Sequence, residues 1–146
     1  MENEIIHSEL YGTWELERFW FTSKDRSETD PLSTYPVGNL IFVNDGHYSF
    51  TMMRPGRMMY KDGDLLGGTA KETQEAAGGY VSFGGGWTLQ NNIIIFKISY
   101  SLFPNWVGKE QKRIAKFENK SLFLRTTIPL QVAGKLHWGA ARWNKL

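Results

Sequence analysis

The chain has 146 residues, no Cys, 41% apolar and 22% charged residues, and 6 Trp, 6 Tyr and 9 Phe. That length suits one domain, and the missing thiols exclude disulfides, thiolate zinc sites, iron–sulfur clusters and cysteine nucleophiles. Net charge is +2, divided into 7 Lys or Arg against 13 Asp or Glu up to Glu75 and 10 against 2 from Ala76 onward.

Most of the chain alternates apolar and polar residues at period two between turn residues, the pattern of half-buried strands. Met1–Leu10 is acidic, unlike a signal peptide, and is expected to fray. Thr13–Thr22 sets Trp14, Leu16 and Trp20 against Glu15, Glu17 and Phe19. Gly38–Val43 and His47–Met53 flank Asn44-Asp45-Gly46, a hairpin signal because Asp-Gly accepts the positive φ of tight turns. Arg54–Gly68 is rich in Gly, Asp and Met and has no period, so it reads either as a mobile loop at a ligand gate or as a plain connection. Thr69-Ala70-Lys71-Glu72 is a capping box opening a helix of about two turns that Gly78-Gly79 stops. That helix has only an alanine stripe and is expected to cover one end of the fold.

Tyr80–Leu89 and Ile93–Leu102 flank Gln90-Asn91-Asn92, and Gln111–Phe117 and Ser121–Thr126 flank Glu118-Asn119-Lys120, giving two further hairpins. Leu136–Trp143 ends the series. Gly84-Gly85-Gly86 interrupts a strand, for which a sharp bend is preferred over close approach of another group. Eight strands in meander order predict an all-β fold, an eight-stranded antiparallel up-and-down barrel with one short helix, formed as a single domain over residues 1–146.

Several stretches together resemble the bacterial and fungal lipocalin-like domain family, small calycin-type barrels. They are Gly12-Thr13-Trp14, Pro36-Val37-Gly38-Asn39-Leu40 leading to Asp45-Gly46 and Met53-Arg54-Pro55, Gly79-Tyr80-Val81, and above all Ser101-Leu102-Phe103-Pro104-Asn105-Trp106-Val107-Gly108. Gln111 and Arg113 follow as in the family, and the last strand carries Trp138 and Arg142. The resemblance spans about Tyr11 to Trp143 and implies a lipocalin-like barrel that binds small hydrophobic molecules. It also implies that Trp14 seals the closed end with Arg142 packed over it, a structural cation–π pair. Relatives commonly carry two histidines in the strand before this segment. Phe96 and Lys97 stand there instead, so no role of those histidines carries over.

First-to-last strand closure would set the acidic half against the basic half, so the charge split serves the fold. Lys97, Arg113, Lys116, Arg125, Lys135 and Arg142 are dispersed rather than clustered, which argues against nucleic acid as a partner. Apolar runs far shorter than the roughly 20 residues that span a bilayer argue against a membrane and for a cytoplasmic protein. His7, His47 and His137 have no ligand spacing, so no metal is expected; no nucleotide or flavin fingerprint and no GxSxG elbow is present, so no cofactor is expected either.

The remaining chemistry is that of an aromatic cavity. His47, Tyr80, Lys97, Tyr100, Arg113 and His137 are the candidate acid–base and oxyanion-stabilising groups. Trp20, Met53, Trp87, Phe103, Asn105, Trp106, Gln111 and Trp138 are the candidate ligand contacts, with Phe103–Trp106 either a pocket mouth or a structural corner. An inward Arg113 or Lys97 needs a partner: a ligand oxygen, or a carboxylate such as Glu15 or Glu17. This polar set favours a cofactor-free isomerase or cyclase acting on a polycyclic or polyketide-like metabolite, as in secondary-metabolite biosynthesis. The alternatives are a non-catalytic carrier of a small hydrophobic ligand and an interaction module with a filled barrel. A homodimer is left open.

Overall fold

The computed structural model describes residues 3–146. Eleven strands form one antiparallel sheet: β1 (Gly12–Ser23), β2 (Glu28–Thr29), β3 (Val37–Phe42), β4 (His47–Met53), β5 (Tyr80–Gln90), β6 (Ile93–Lys97), β7 (Tyr100–Ser101), β8 (Glu110–Glu118), β9 (Ser121–Thr126), β10 (Leu130–Val132) and β11 (Lys135–Lys145). The eight long ones follow the order β1-β3-β4-β5-β6-β8-β9-β11, and β11 pairs back onto β1, closing the expected barrel. Closure leaves no long open edge. Among the described residues no helix is long and apolar enough to cross a membrane.

The three hairpins form where expected, with Gly46, Asn91, Asn92 and Asn119 at positive φ. The predicted strand Ile93–Leu102 is in fact broken. Ile98 exchanges backbone hydrogen bonds with Gly108 and Lys109, while Ser99 N–H donates to the Gly84 carbonyl, so the chain crosses from β6 to β7 there. The glycine triple serves close approach rather than only bending. A Cβ on Gly84 would lie 2.2 Å from the Tyr100 hydroxyl oxygen, and one on Gly85 would lie 2.3 Å from the Lys97 carbonyl oxygen.

β1 carries the largest departure from the period-two reading. Its register on β11 runs Leu16 with Trp143 and then Arg18 with Arg142, so Glu17 is one extra residue, a β-bulge. Before it, Trp14 and Leu16 face inward; after it, Phe19 and Phe21 do, and Arg18 and Trp20 face out. Trp20 is therefore not a ligand contact. It lies on the outer wall with Arg18 at 4.4 Å and Arg142 at 5.5 Å from its ring centroid.

The core fills one end of the barrel. Leu10, Leu40, Phe42, Ile94, Phe96, Leu122, Leu124 and Trp143 are fully enclosed. The Phe50 ring meets Trp143 edge to face at 5.2 Å. Trp14 stacks on Phe117 at 6.1 Å, and its indole N–H donates to the Leu10 carbonyl at 2.9 Å. The cation over Trp14 is Lys145, at 4.9 Å, not Arg142. Arg142 instead reaches Glu17 at 3.5 Å and Glu118 at 3.7 Å, the first of these joining the first strand to the last.

Of the segment expected to fray, residues 1–2 lie outside the described residues and residues 3–10 lie against this end. Ile5 and Leu10 are buried, Ile5 N–H donates to Asn92 Oδ1 at 2.7 Å, and the His7 ring stacks on Trp87 at 4.1 Å. Helix α1 (Ala70–Gly78) forms with its capping box intact, the Thr69 hydroxyl accepting from Glu72 N–H and Glu72 from Thr69 N–H. None of its residues is buried, in keeping with a cover rather than a core element.

The bulge makes a stability prediction. Trp143→Ala opens a cavity in the closed end and is expected to cost about 3–5 kcal/mol in urea unfolding. Trp20→Ala, on the outer wall, is expected to cost less, because the Arg18 and Arg142 stems that cover the ring there can settle into its place. Equal costs would place both rings in one core.

Candidate functional site

The other end of the barrel is hollow. A cavity of about 630 Å³ lies between the aromatic plug and the open rim, a size that suits one small organic ligand. Its floor is made by Phe19, Phe50, Met52, Phe83, Leu124 and Ala141, and its middle by Phe21, Arg113, Thr126 and Gly139. Its rim is made by Pro31, Leu32, Gly78, Val81, Phe103, Trp106, Leu130, Gln131 and Val132. The small residues Gly139 and Ala141 of β11 create the space, because larger side chains there would project into it. Leu32 reaches in from the connection between β2 and β3, where β3 has already parted from β1 beyond Glu15.

Trp106 sits in a 3-10 turn, Pro104–Trp106, with its ring edge-on to Phe83 at 5.5 Å and to Phe103 at 5.5 Å. The pair separates the cavity from a shallower outer groove of about 420 Å³ that Tyr80, Ser82, Ser101 and Leu102 also line. The Phe103–Trp106 segment is thus a pocket wall at the mouth. Asn105 itself is exposed.

Arg113 is the charged group in this apolar chamber. It lies on β8 opposite Thr126 of β9, and both are buried. Its Nη1 donates to Gln111 Oε1 at 2.9 Å and to the Lys112 carbonyl at 3.2 Å. No carboxylate among the described residues pairs with it. Glu17 is committed to Arg142 and Asn144 on the outer wall, and Glu15 is exposed. Burial lowers the Arg113 guanidinium to about 10, still charged at neutral pH. Thr126 Oγ1 accepts from Gly139 N–H at 3.1 Å, which leaves its own proton available to donate.

Among the candidate acid–base groups Arg113 alone lines the cavity. His47 is exposed at the β3–β4 turn, its Nδ1 3.0 Å from Asp45. Lys97 and Tyr100 are exposed, Tyr100 lying over Gly84. Tyr80 faces the outer groove with Arg57 over its ring at 5.1 Å. His137 is at the rim, its ring 5.8 Å from Phe21 and Nδ1 3.2 Å from the Lys135 carbonyl. Tyr48, which the sequence did not single out, donates to the Lys97 carbonyl at 2.8 Å, and burial raises its pKa, so it keeps its proton.

Among the candidate ligand contacts Phe103 and Trp106 line the cavity, and Gln111 acts behind it by holding Arg113. Trp87 belongs to the closed end, its indole N–H donating to the Val43 carbonyl at 3.2 Å. Met53 accepts from Arg57 Nη2 at 3.1 Å outside the cavity. Trp138 shares the outward face of β11 with Arg142. The sequence missed Phe19 and Phe21, hidden by the bulge, and Thr126, which carries no signal until strand pairing sets it opposite Arg113.

A buried charge without a counter-ion weakens the empty protein. Because burial pushes the folded pKa of Arg113 down to about 10, below its ordinary value, the penalty is complete at all pH values below about 10 and fades only as pH rises beyond that toward the ordinary value. Arg113→Met is therefore expected to stabilise the ligand-free protein at pH 7 by on the order of 1–3 kcal/mol. A drop in the urea midpoint of that variant would mean that Arg113 is better paired than the geometry shows.

A family model described as a lipocalin-like domain matches residues 11–146. The chain is similar to the 4'-hydroxy-3'-methoxypropiophenone carrier protein ppsC of Aspergillus oryzae, 29% identical over 106 residues that cover 67% of this chain and 96% of that one. Solved structures that resemble it include a lipocalin-like protein from Bacteroides uniformis, with TM-score 0.46, 15% identity, and coverage of 94% of this chain and 99% of that one. A redesigned beta barrel has TM-score 0.44, 13% identity, and coverage of 95% and 93%. The Aspergillus relative is named a carrier, which overturns the expectation of a cofactor-free isomerase or cyclase. The physical reason lies in the placement above: a proton shuttle must face its substrate, and of the groups offered for that role His47, Tyr80 and Tyr100 line other surfaces while His137 reaches only the rim.

Proposed function

The chain belongs to the lipocalin-like domain family, and on that premise we propose that it is a non-catalytic carrier of a small hydrophobic aromatic molecule held inside the barrel. The observation that carries this reading is the chamber itself, apolar on most sides with six aromatic rings, with hydrogen-bond donors on one wall and, among the described residues, no acid–base pair facing them. Such a site can enclose and orient a flat molecule without offering it a route to react. An aryl ketone of the kind named for the Aspergillus relative has the size and polarity this chamber favours. One chain encloses the site by itself, so this reading needs neither the expected cytoplasmic setting nor the homodimer left open above.

Trp106 reports on occupancy. Adding 4'-hydroxy-3'-methoxypropiophenone is expected to change tryptophan fluorescence saturably, at one ligand per chain, and the compound should be recovered unchanged after incubation. Ala141→Phe fills the floor and is expected to weaken binding at least about tenfold, that is by about 1.4 kcal/mol, with the folded circular-dichroism spectrum kept. A new product in the recovered pool, or binding that survives Ala141→Phe, would count against a carrier acting through this cavity.

A further inference from the structure

The donors in the chamber specify more than an apolar ligand. Arg113 and Thr126 are cross-strand partners on the cavity wall, and both turn donors toward it. The Thr126 oxygen is already used by Gly139 N–H, and a guanidinium has no acceptor. Any ligand group that satisfies this pair must therefore supply oxygen lone pairs. Charge decides which oxygen: the guanidinium is buried, protonated and without a carboxylate among the described residues, so a negative oxygen relieves it most. The titratable group whose field reaches Arg113 is Tyr48, on β4, which stays neutral.

We infer that the cavity selects an acidic phenol and binds it as the phenolate, with the ionised oxygen on Arg113 and Thr126. This deepens the carrier reading and rests on it. The phenol O–H bond breaks, its electron pair stays on oxygen, and the proton leaves to solvent water; Arg113 keeps its own protons throughout. A phenol suits the chamber better than a carboxylate. It can cross the aromatic rim of Phe103 and Trp106 neutral and lightly hydrated and ionise in place, whereas a carboxylate sheds its hydration shell on the way in. A carbonyl para to the hydroxyl brings the phenol below the roughly 10 of a tyrosine side chain, within reach of a single buried cation.

The test uses absorption, because ionising a para-acyl phenol moves its band to longer wavelength. The probes are 4'-hydroxy-3'-methoxypropiophenone and its 4'-O-methyl ether, added to the full chain at a pH where the free phenol is neutral. The phenolate band is expected on binding, equivalent to a fall of one pKa unit or more. The ether should bind about tenfold or more weakly. Arg113→Gln should abolish the band and bring the two probes to similar affinity, Arg113→Lys should restore part of it, and Thr126→Val should weaken phenol binding several-fold while leaving the ether unchanged. Saturable binding with no phenolate band, or equal affinity for phenol and ether in the unaltered protein, would overturn the inference and leave the carrier reading standing. Failure of both probes to change tryptophan fluorescence would overturn both.

Discussion

One extra residue in the first strand divides this barrel into a plug and a chamber. At Glu17 the pairing of β1 with β11 skips a step, and the inward face of β1 passes from Trp14 and Leu16 to Phe19 and Phe21. Below the bulge, Trp14, Leu16 and Trp143 fill the interior with Phe42, Phe96 and Trp87. Above it, Phe19 and Phe21 stand opposite Gly139 and Ala141 and leave room. Without the bulge, period two would carry Trp20 inward, and an indole would occupy the space where a ligand fits. The same step puts Trp20 beneath Arg18 and Arg142 on the outside, where two cations cover it.

On the proposed carrier reading, Arg113 trades stability for recognition. An apolar cavity alone would bind any small hydrophobe weakly and without orientation. A buried guanidinium, held from behind by Gln111 and the Lys112 carbonyl, fixes direction and polarity at the middle of the barrel. The desolvation that makes the charge costly in the empty protein is what gives it strength toward an oxygen ligand. If the inferred oxygen contact holds, stability and recognition are opposed at this one residue.

Much of the fold is legible in the sequence because its signals are local. Alternation marks the long strands, Asp45-Gly46 and Asn91-Asn92 mark turns that need positive φ, and Thr69 with Glu72 marks the helix start. The site is less so, because it depends on register. A bulge has no compositional signature, so Phe19 reads as outward and Trp20 as inward until β11 is paired. The break at Ile98–Ser99 and the fit of Tyr100 against Gly84 are likewise long-range contacts. Arg113 is visible as a candidate, but the absence of a carboxylate partner among the described residues is not, since Glu17 is drawn to Arg142 only once the first and last strands meet. For the same reason the resemblance points to Arg142 as the cation over Trp14, whereas strand pairing sets Lys145 directly across from it.

The central claim is that one aromatic molecule sits inside the barrel with an oxygen on Arg113. A crystal structure of the protein soaked with the hydroxyaryl ketone tests it most directly. The ring is expected among Phe21, Phe83 and Trp106, with its oxygen within hydrogen-bond distance of Arg113 and Thr126. A ligand seated instead in the outer groove beside Tyr80 and Leu102, with the chamber closed by collapsed side chains, would contradict it.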